Sequence, residues 1–219
     1  MRNSFDRRVV SEATLELLRG CQAHARCELG GGAGLSGAYL SHRLSQDVDL
    51  FCSDLRDVRK LVDSLPKLAR ERGHPLTLVR DEGSFARAHC HLPGGSLEID
   101  VVVESSPDLA PATLLEGVVV RSFDDMRASK LTCLLSRSEP RDLVDILFLE
   151  RAGHSVEDDL ALALRKDSGI DPAVLAWLMR QFPTRPMPQM LEPLSQDELV
   201  RFRDQLSERF RALSIPAEG

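Results

Sequence analysis

Two aspartates one residue apart, Asp47-Val48-Asp49, stand in an apolar run that continues through Leu50 and Phe51. Side chains alternate faces along a strand, so a strand here places both carboxylates on one side. Neighbouring carboxylates repel each other, and such a pair persists where a hard divalent cation sits between them. Just upstream lies a glycine turn, Gly30-Gly31-Gly32-Ala33-Gly34. Glycines let backbone N–H groups approach phosphate oxygens closely. Together the two features predict a site for a metal-bound nucleoside triphosphate, and with it phosphoryl or nucleotidyl transfer. Each alone has a plainer reading. A glycine run is usually only a turn, and Asp-x-Asp is commonly a solvated strand edge.

A third carboxylate should come from a neighbouring strand, and Leu97-Glu98-Ile99-Asp100-Val101-Val102-Val103 supplies it. Ile99, Val101 and Val103 point one way, Glu98 and Asp100 the other. Asp100 beside Asp47 and Asp49 would complete a three-carboxylate site for one or two Mg²⁺ ions. Asp100 could then serve as general base toward an acceptor hydroxyl.

The elements that must position these groups can be read from periodicity. Residues 6–24 read as an amphipathic helix, and residues 26–29 lead into the glycine turn. Residues 35–40 read as helix and residues 47–51 as strand, with Val48, Leu50 and Phe51 as its buried surroundings. Ser53-Asp54 starts a helix over residues 55–72 that Gly73 stops. Its arginines and lysines alternate with acids, which makes a solvated face rather than an RNA track. Strands follow at residues 76–80, 84–91 and 96–104, the last two joined through Pro93-Gly94-Gly95 as a hairpin. Val118-Val119-Val120 is a further strand. From Phe123 onward the period is helical, over residues 125–136, 141–151, 156–166, 172–179 and 196–213. Trp177, with Leu175, Leu178 and Met179, reads as core. Four prolines make residues 182–193 an extended loop or linker. This predicts an α+β fold, with a mixed α/β domain over residues 1–121 and a helical subdomain over residues 122–219.

Composition narrows the class. Hydrophobic residues make up 42% and charged residues 28%, with a net charge of −6, as in an ordinary globular protein. That balance argues against a broad nucleic-acid-binding surface, although a local basic patch remains compatible. No stretch reaches the roughly 18 apolar residues of a membrane span, and the start carries no apolar signal region, so a cytoplasmic protein is expected. Five cysteines is an odd number, which rules out a complete disulfide framework. Cys21-x-x-His24-x-x-Cys27 and His89-Cys90-His91 lack the second ligand pair of a zinc site.

The run Gly31-Gly32 … Tyr39-Leu40-x-His42-Arg43-x-Ser45-x-Asp47-x-Asp49-Leu50-Phe51 resembles the first motif of the AbiEii-type nucleotidyltransferases. This family belongs to the polymerase-beta-like nucleotidyltransferase superfamily and includes toxins of type IV toxin–antitoxin and phage-abortive systems. Asp125-Met126-x-x-Ser129-Lys130-Leu131 resembles its helix with a catalytic lysine, and Arg141-Asp142-Leu143-Val144-Asp145-Ile146 its Lys-Asp-x-x-Asp segment. The three motifs come in the family's order.

The resemblance implies a nucleotidyltransferase-like mixed sheet flanked by helices. It implies Mg²⁺ on Asp47 and Asp49, Gly31 and Gly32 against triphosphate oxygens, and Lys130 as a point charge on the phosphates. Asp142 would stand near the nucleotide or acceptor and Asp145 would line the same face. His42 and Arg43 would sit at the mouth of the site, with Arg43 and Asp145 against the nucleotide. The partners implied are a nucleoside triphosphate, an RNA such as tRNA as acceptor, and an antitoxin encoded nearby. A small-molecule nucleotidyltransferase of the aminoglycoside-modifying kind shares the same metal core, and a non-catalytic nucleotide-binding relative would keep the fold. The chain departs from the motif at Ala33, where the superfamily has a hydroxyl residue, so Ser36, Ser41 or backbone N–H groups would have to compensate. Arg141 stands where lysine is usual.

Overall fold

The structure is a computed structural model and describes residues 2–215. It divides into two compact units, Met1–Met126 and Arg127–Gly219. The division falls inside a helix rather than at residue 121, where the sequence changes character.

The first unit is a seven-stranded mixed sheet with helices. Helix α1 (Glu12–His24) leads into β1 (Cys27–Gly30). Next comes α2 (Gly31–Gly34), which widens into a π-helical turn over Leu35–Leu40, followed by β2 (Asp47–Cys52) and α3 (Leu55–Glu71). Then come β3 (Leu76–Asp81), β4 (Phe85–Leu92), β5 (Gly95–Val103), β6 (Thr113–Leu115) and β7 (Val118–Val120). The spatial order is β3-β4-β5-β2-β1-β7-β6. Strand β2 runs antiparallel to β1 and parallel to β5, so it lies centrally, with its carboxylates flanked on both sides. Helices α1 and α3 pack on each other and on the sheet. They bury Leu15, Leu18, Val58, Leu61, Leu65 and Leu68 against Leu29, Val48, Leu50, Ile99 and Val101. Each such side chain contributes about 1.5–3 kcal/mol when taken out of water.

Local chemistry explains where these elements begin. Helix α1 starts at Glu12 and not at residue 6, because the Ser11 side chain accepts a hydrogen bond from the Thr14 N–H and caps it. Upstream, the Asp6 carboxylate accepts from the backbone N–H and guanidinium of Arg8, which closes a turn that competes with helix. Asp54 caps α3 by accepting from Asp57 N–H. The short strand β6 carries no clear alternation, and the sequence reading passed over it.

The helix α4 (Phe123–Ser136) crosses the division. The second unit continues with α5 (Pro140–Arg151), α6 (Val156–Lys166), α7 (Pro172–Met179) and α8 (Gln196–Leu213). Ser155, Asp171 and Ser195 cap the last three through their side chains. Residues 182–193 hold no helix, and Phe182 and Thr184 are buried. Trp177 does not join the core: it is 61% exposed, while Leu175 and Met179 on the same short helix are fully buried. Among the described residues no helix is long and apolar enough to cross a membrane.

Candidate active site

The carboxylates of the first unit are ordered by strand register. On β2, Val48, Leu50 and Cys52 are buried toward the helices, while Asp47, Asp49 and Phe51 are partly exposed and share the other face. Phe51 thus stands on the carboxylates' side rather than in the buried layer. Its ring lies under the Arg121 guanidinium at 4.6 Å. In the parallel pairing with β5, Asp47 is level with Glu98 and Asp49 with Asp100.

The glycine segment leaves β1 at Gly30 and enters helix α2 at Gly31. Gly31 has φ +58°, and a Cβ there would fall 1.7 Å from Asp49 Oδ2. The Asp49 carboxylate therefore occupies the space that a side chain at position 31 would need. At Gly32 a Cβ would meet Arg43 Nη2 at 2.7 Å and Ser45 Oγ at 2.8 Å. His42 and Arg43 are buried rather than placed at a mouth: Arg43 is 2% exposed and its Nη1 donates to Leu44 O at 3.0 Å. The physical reason is the π-helical turn, which ends in a left-handed Ser41 and turns the next residues inward. Ser36 Oγ donates to Arg43 O at 2.6 Å and accepts from Arg43 N–H. That hydroxyl is committed to the protein and does not replace the one missing at Ala33.

Asp100 is buried and bound. Arg87 on β4 donates from Nε and Nη2 to its two oxygens, each at 2.7 Å. Arg87 Nη1 lies 3.2 Å from Glu98 Oε1, and His89 Nε2 is 2.9 Å from Glu98 Oε2. The hydrogen bonds of Asp100 outweigh desolvation and hold the Arg87 pKa above its usual value. Among the described residues, no three His, Cys, Asp or Glu side chains are gathered as a ready metal cluster. Sequence reasoning missed Arg87. The hairpin register contained the signal: with the turn at Pro93-Gly94, Leu92 faces Gly95, and counting back places Arg87 opposite Asp100.

The other motif residues meet within the second unit. Lys130 on α4 is 3% exposed, with Nζ 3.2 Å from Asp142 Oδ1 and 2.7 Å from Asp145 Oδ2. The two aspartates sit one turn apart on α5 and are fully buried. Pro140 opens that helix, and Asp142 in its first turn complements the dipole. Arg137 chelates Asp142 through Nε at 2.9 Å and Nη2 at 3.0 Å. Burial opposes the Arg137 charge, but hydrogen bonding to Asp142 together with the negative charge of Asp142 and Glu139 more than offsets it and raises its pKa. Two cations and two anions leave the cluster neutral, which a buried group requires.

Beyond Phe51, toward the far ends of β1 and β2, lies a cavity of about 580 Å³. Glu28, Glu104 and Asp108 line it, with Arg26 and Arg121. Arg121 is 3% exposed, and four carboxylates surround it: Glu104 at 3.2 Å, Asp125 at 3.6 Å, Asp108 at 3.7 Å and Glu28 at 3.8 Å.

This mixed sheet, with an Asp-x-Asp strand at its centre and helices after it, is the fold of nucleotidyltransferases. JHP933 from Helicobacter pylori superposes with a TM-score of 0.59 over 94% of this chain and 91% of its own, at 18% identity. MenT4, the nucleotidyltransferase toxin Rv2826c from Mycobacterium tuberculosis H37Rv, gives 0.58 over 95% and 87%, at 17% identity. At such identities the likeness is one of fold. No curated protein matches the chain by sequence. The model of the family described as nucleotidyl transferase AbiEii toxin, type IV TA system, matches residues 16–216. The chain belongs to that family, and its activity class is nucleotidyl transfer.

Proposed function

We propose that this protein moves a nucleoside monophosphate from a Mg²⁺-bound nucleoside triphosphate to an RNA acceptor, with tRNA the first candidate, and releases pyrophosphate. The observation that carries this reading is the Gly31–Asp49 contact. The backbone of the glycine segment is pressed against a carboxylate of the Asp-x-Asp pair, as a site that binds phosphate and metal side by side needs. Asp47 and Asp49 fit a hard divalent cation because both offer carboxylate oxygens from one strand face. Such an ion, when bound, offsets the triphosphate charge and stabilises the developing negative charge at the reacting phosphorus.

The chain's own residues do the rest. With Ala33 lacking a hydroxyl and Ser36 engaged with Arg43, the N–H groups of Gly31 and Gly32 meet phosphate oxygens. Arg43, packed beneath Gly32, braces that backbone, although the family motif gives it to the nucleotide. Asp100 orients the acceptor hydroxyl while Arg87 keeps its carboxylate in place. In the second unit the motif assigns Lys130 to the triphosphate and Asp142 and Asp145 to the nucleotide or acceptor. These roles rest on the family motif; within the unit the three side chains pair with one another and with Arg137. Membership of a type IV toxin–antitoxin family supports a cognate antitoxin as partner.

A cytoplasmic small-molecule enzyme is the second reading. The cavity beyond Phe51 favours it, because carboxylates outnumber guanidiniums there and suit a polyamine-like acceptor. One experiment tests both. The protein is incubated with Mg²⁺, each α-labelled nucleoside triphosphate in turn, and either total tRNA or an aminoglycoside panel. Label on tRNA that is lost in Asp47→Ala and Asp49→Ala supports the first reading, and label on the aminoglycoside the second. Folded protein that binds no nucleoside triphosphate in titration calorimetry with Mg²⁺ overturns both.

A further inference from the structure

The sheet face that carries Asp47 and Asp49 holds a charge arrangement absent from the family motif residues. Arg87 faces Asp100 across the β4–β5 hairpin, and His89 faces Glu98. On the other side of β5, Glu98 and Asp100 are level with Asp47 and Asp49. Two rungs on one face, separated by the Val48–Ile99 rung that faces the other way, therefore bring Asp47, Asp49, Glu98 and Asp100 together on neighbouring strands. The guanidinium of Arg87 is set among them, with both Asp100 oxygens at 2.7 Å and Glu98 at 3.2 Å. Asp47 contributes to the field that favours its charge.

A planar guanidinium that grips both oxygens of a carboxylate fills the in-plane directions from which a divalent ion would be held, and its charge repels such an ion. The pair is not sealed in. The Asp100 side chain is 11% exposed, but that of Arg87 is 38% exposed. The guanidinium thus has a solvent side from which it can be displaced from Asp100.

We propose that Arg87 is a resident counter-ion that reserves Asp100, so that the resting site takes a single divalent cation through Asp47 and Asp49. The inference rests on the reading of those two aspartates as metal ligands. Arg87 is thus a positioning residue that acts through Asp100. It sets how many ions the site holds before nucleotide arrives, and it keeps four closely spaced carboxylates stable in the absence of metal.

The test is a count of bound Mn²⁺, read by paramagnetic resonance of the free ion, on the full chain without nucleotide. Wild type should bind one ion per chain, and Asp47→Asn should abolish it. Arg87→Ala should bind a second ion, or bind the first at least tenfold more tightly. Arg87→Lys, which keeps the charge and loses the fork, should fall between them. Adding Asp100→Asn to Arg87→Ala should return the count to one, and this pair also remains readable if Arg87→Ala alone fails to fold. Unchanged number and affinity in folded Arg87→Ala and Arg87→Lys would overturn the role of Arg87 and leave the metal reading intact. Two ions in wild type, one of them lost in Asp100→Asn, would overturn it as well. Absence of Mn²⁺ binding by folded wild type, or binding indifferent to Asp47→Asn, would overturn the metal reading and this inference together.

Discussion

Replacing Gly31 with alanine tests the contact on which the proposed site depends. Gly31 has φ +58°, and a side chain there conflicts first with its own backbone. An L-residue in that region is disfavoured by about 1–2 kcal/mol. The second conflict is with Asp49, because the new Cβ would stand 1.7 Å from Oδ2 and 2.5 Å from Cγ. Non-bonded atoms rest about 3.5 Å apart, so the carboxylate has to retreat by about 2 Å. It is the free end of a side chain, and forcing it off its rotamer costs about 0.5–1.5 kcal/mol. The combined destabilisation of about 1.5–3.5 kcal/mol corresponds to a fall in Tm of about 3–14 °C for a chain of this size. Function should suffer more than stability, since a ligand oxygen displaced by that distance no longer reaches the same ion. Mn²⁺ affinity should drop at least tenfold. The assay is a double-mutant cycle with Asp49→Ala, read by thermal unfolding and by metal titration. In the Asp49→Ala background the alanine at 31 should cost the backbone strain and a residual approach to the Cβ of residue 49 at 3.0 Å, so the coupling energy isolates the clash with the carboxylate. Wild-type Tm and metal affinity in Gly31→Ala, or strict additivity in the cycle, would refute the reasoning.

Three further outcomes are expected. Lys130→Met leaves Asp145 buried without its lysine and should destabilise the chain by about 3–5 kcal/mol, with partial recovery in Lys130→Met/Asp145→Asn; denaturant unfolding checks it, and a loss below about 1 kcal/mol would count against a network that holds the fold. The Arg8 guanidinium and backbone N–H beside Asp6 hold its carboxyl well below the usual 3.8. Because the folded pKa is the depressed one, the stabilisation is present above the ordinary carboxylate range and fades as pH falls through and below it. The Tm gap between wild type and Asp6→Asn should therefore shrink from pH 7 to pH 3, roughly the span over which carboxylates titrate; a gap constant with pH would contradict this. Burial pushes the Cys21 thiol up from 9.0 to about 12, so its thiolate fraction falls about a thousandfold at neutral pH. Iodoacetamide should label it slowly until denaturant is added, as peptide mass spectrometry would show; equal rates in both conditions would contradict the assigned burial.

The helices of the second unit were legible because their caps are local. Ser155, Asp171-Pro172 and Ser195 each mark a start within one turn, and the boundaries of α6, α7 and α8 follow from them. The β2 and β5 alternation and the Gly94 hairpin were equally local, and they placed Asp47, Asp49 and Asp100 on strands that pair. What stayed hidden depends on pairing between distant segments or on exposure. Arg87 gains its meaning from the residue across the hairpin, and Arg43 from a π-turn that periodicity at 3.6 residues does not reveal. Trp177 has the composition of a core residue on a helix that packs by its other face. Whether Lys130 serves as a solvated lysine or a buried one was set by α5, and no spacing within α4 distinguishes the two.

The π-helical turn over Leu35–Leu40 also fixes the length of the chain between the glycines and the aspartates. A π-turn is an α-helix that has absorbed one extra residue, and each residue in an α-helix turns the chain by about 100°. Here the widened turn closes with Ser41 N–H on Ser36 O at 2.7 Å. Removal of one residue from this stretch would let the helix relax to the ordinary winding while rotating everything after it. Arg43 would swing out from beneath Gly32, and β2 would enter the sheet with Leu50 rather than Asp49 beside Gly31. Substitutions between Gly31 and Asp47 can be absorbed one side chain at a time, but a single-residue deletion exchanges the two faces of the strand. In this segment the quantity under strictest constraint is the residue count.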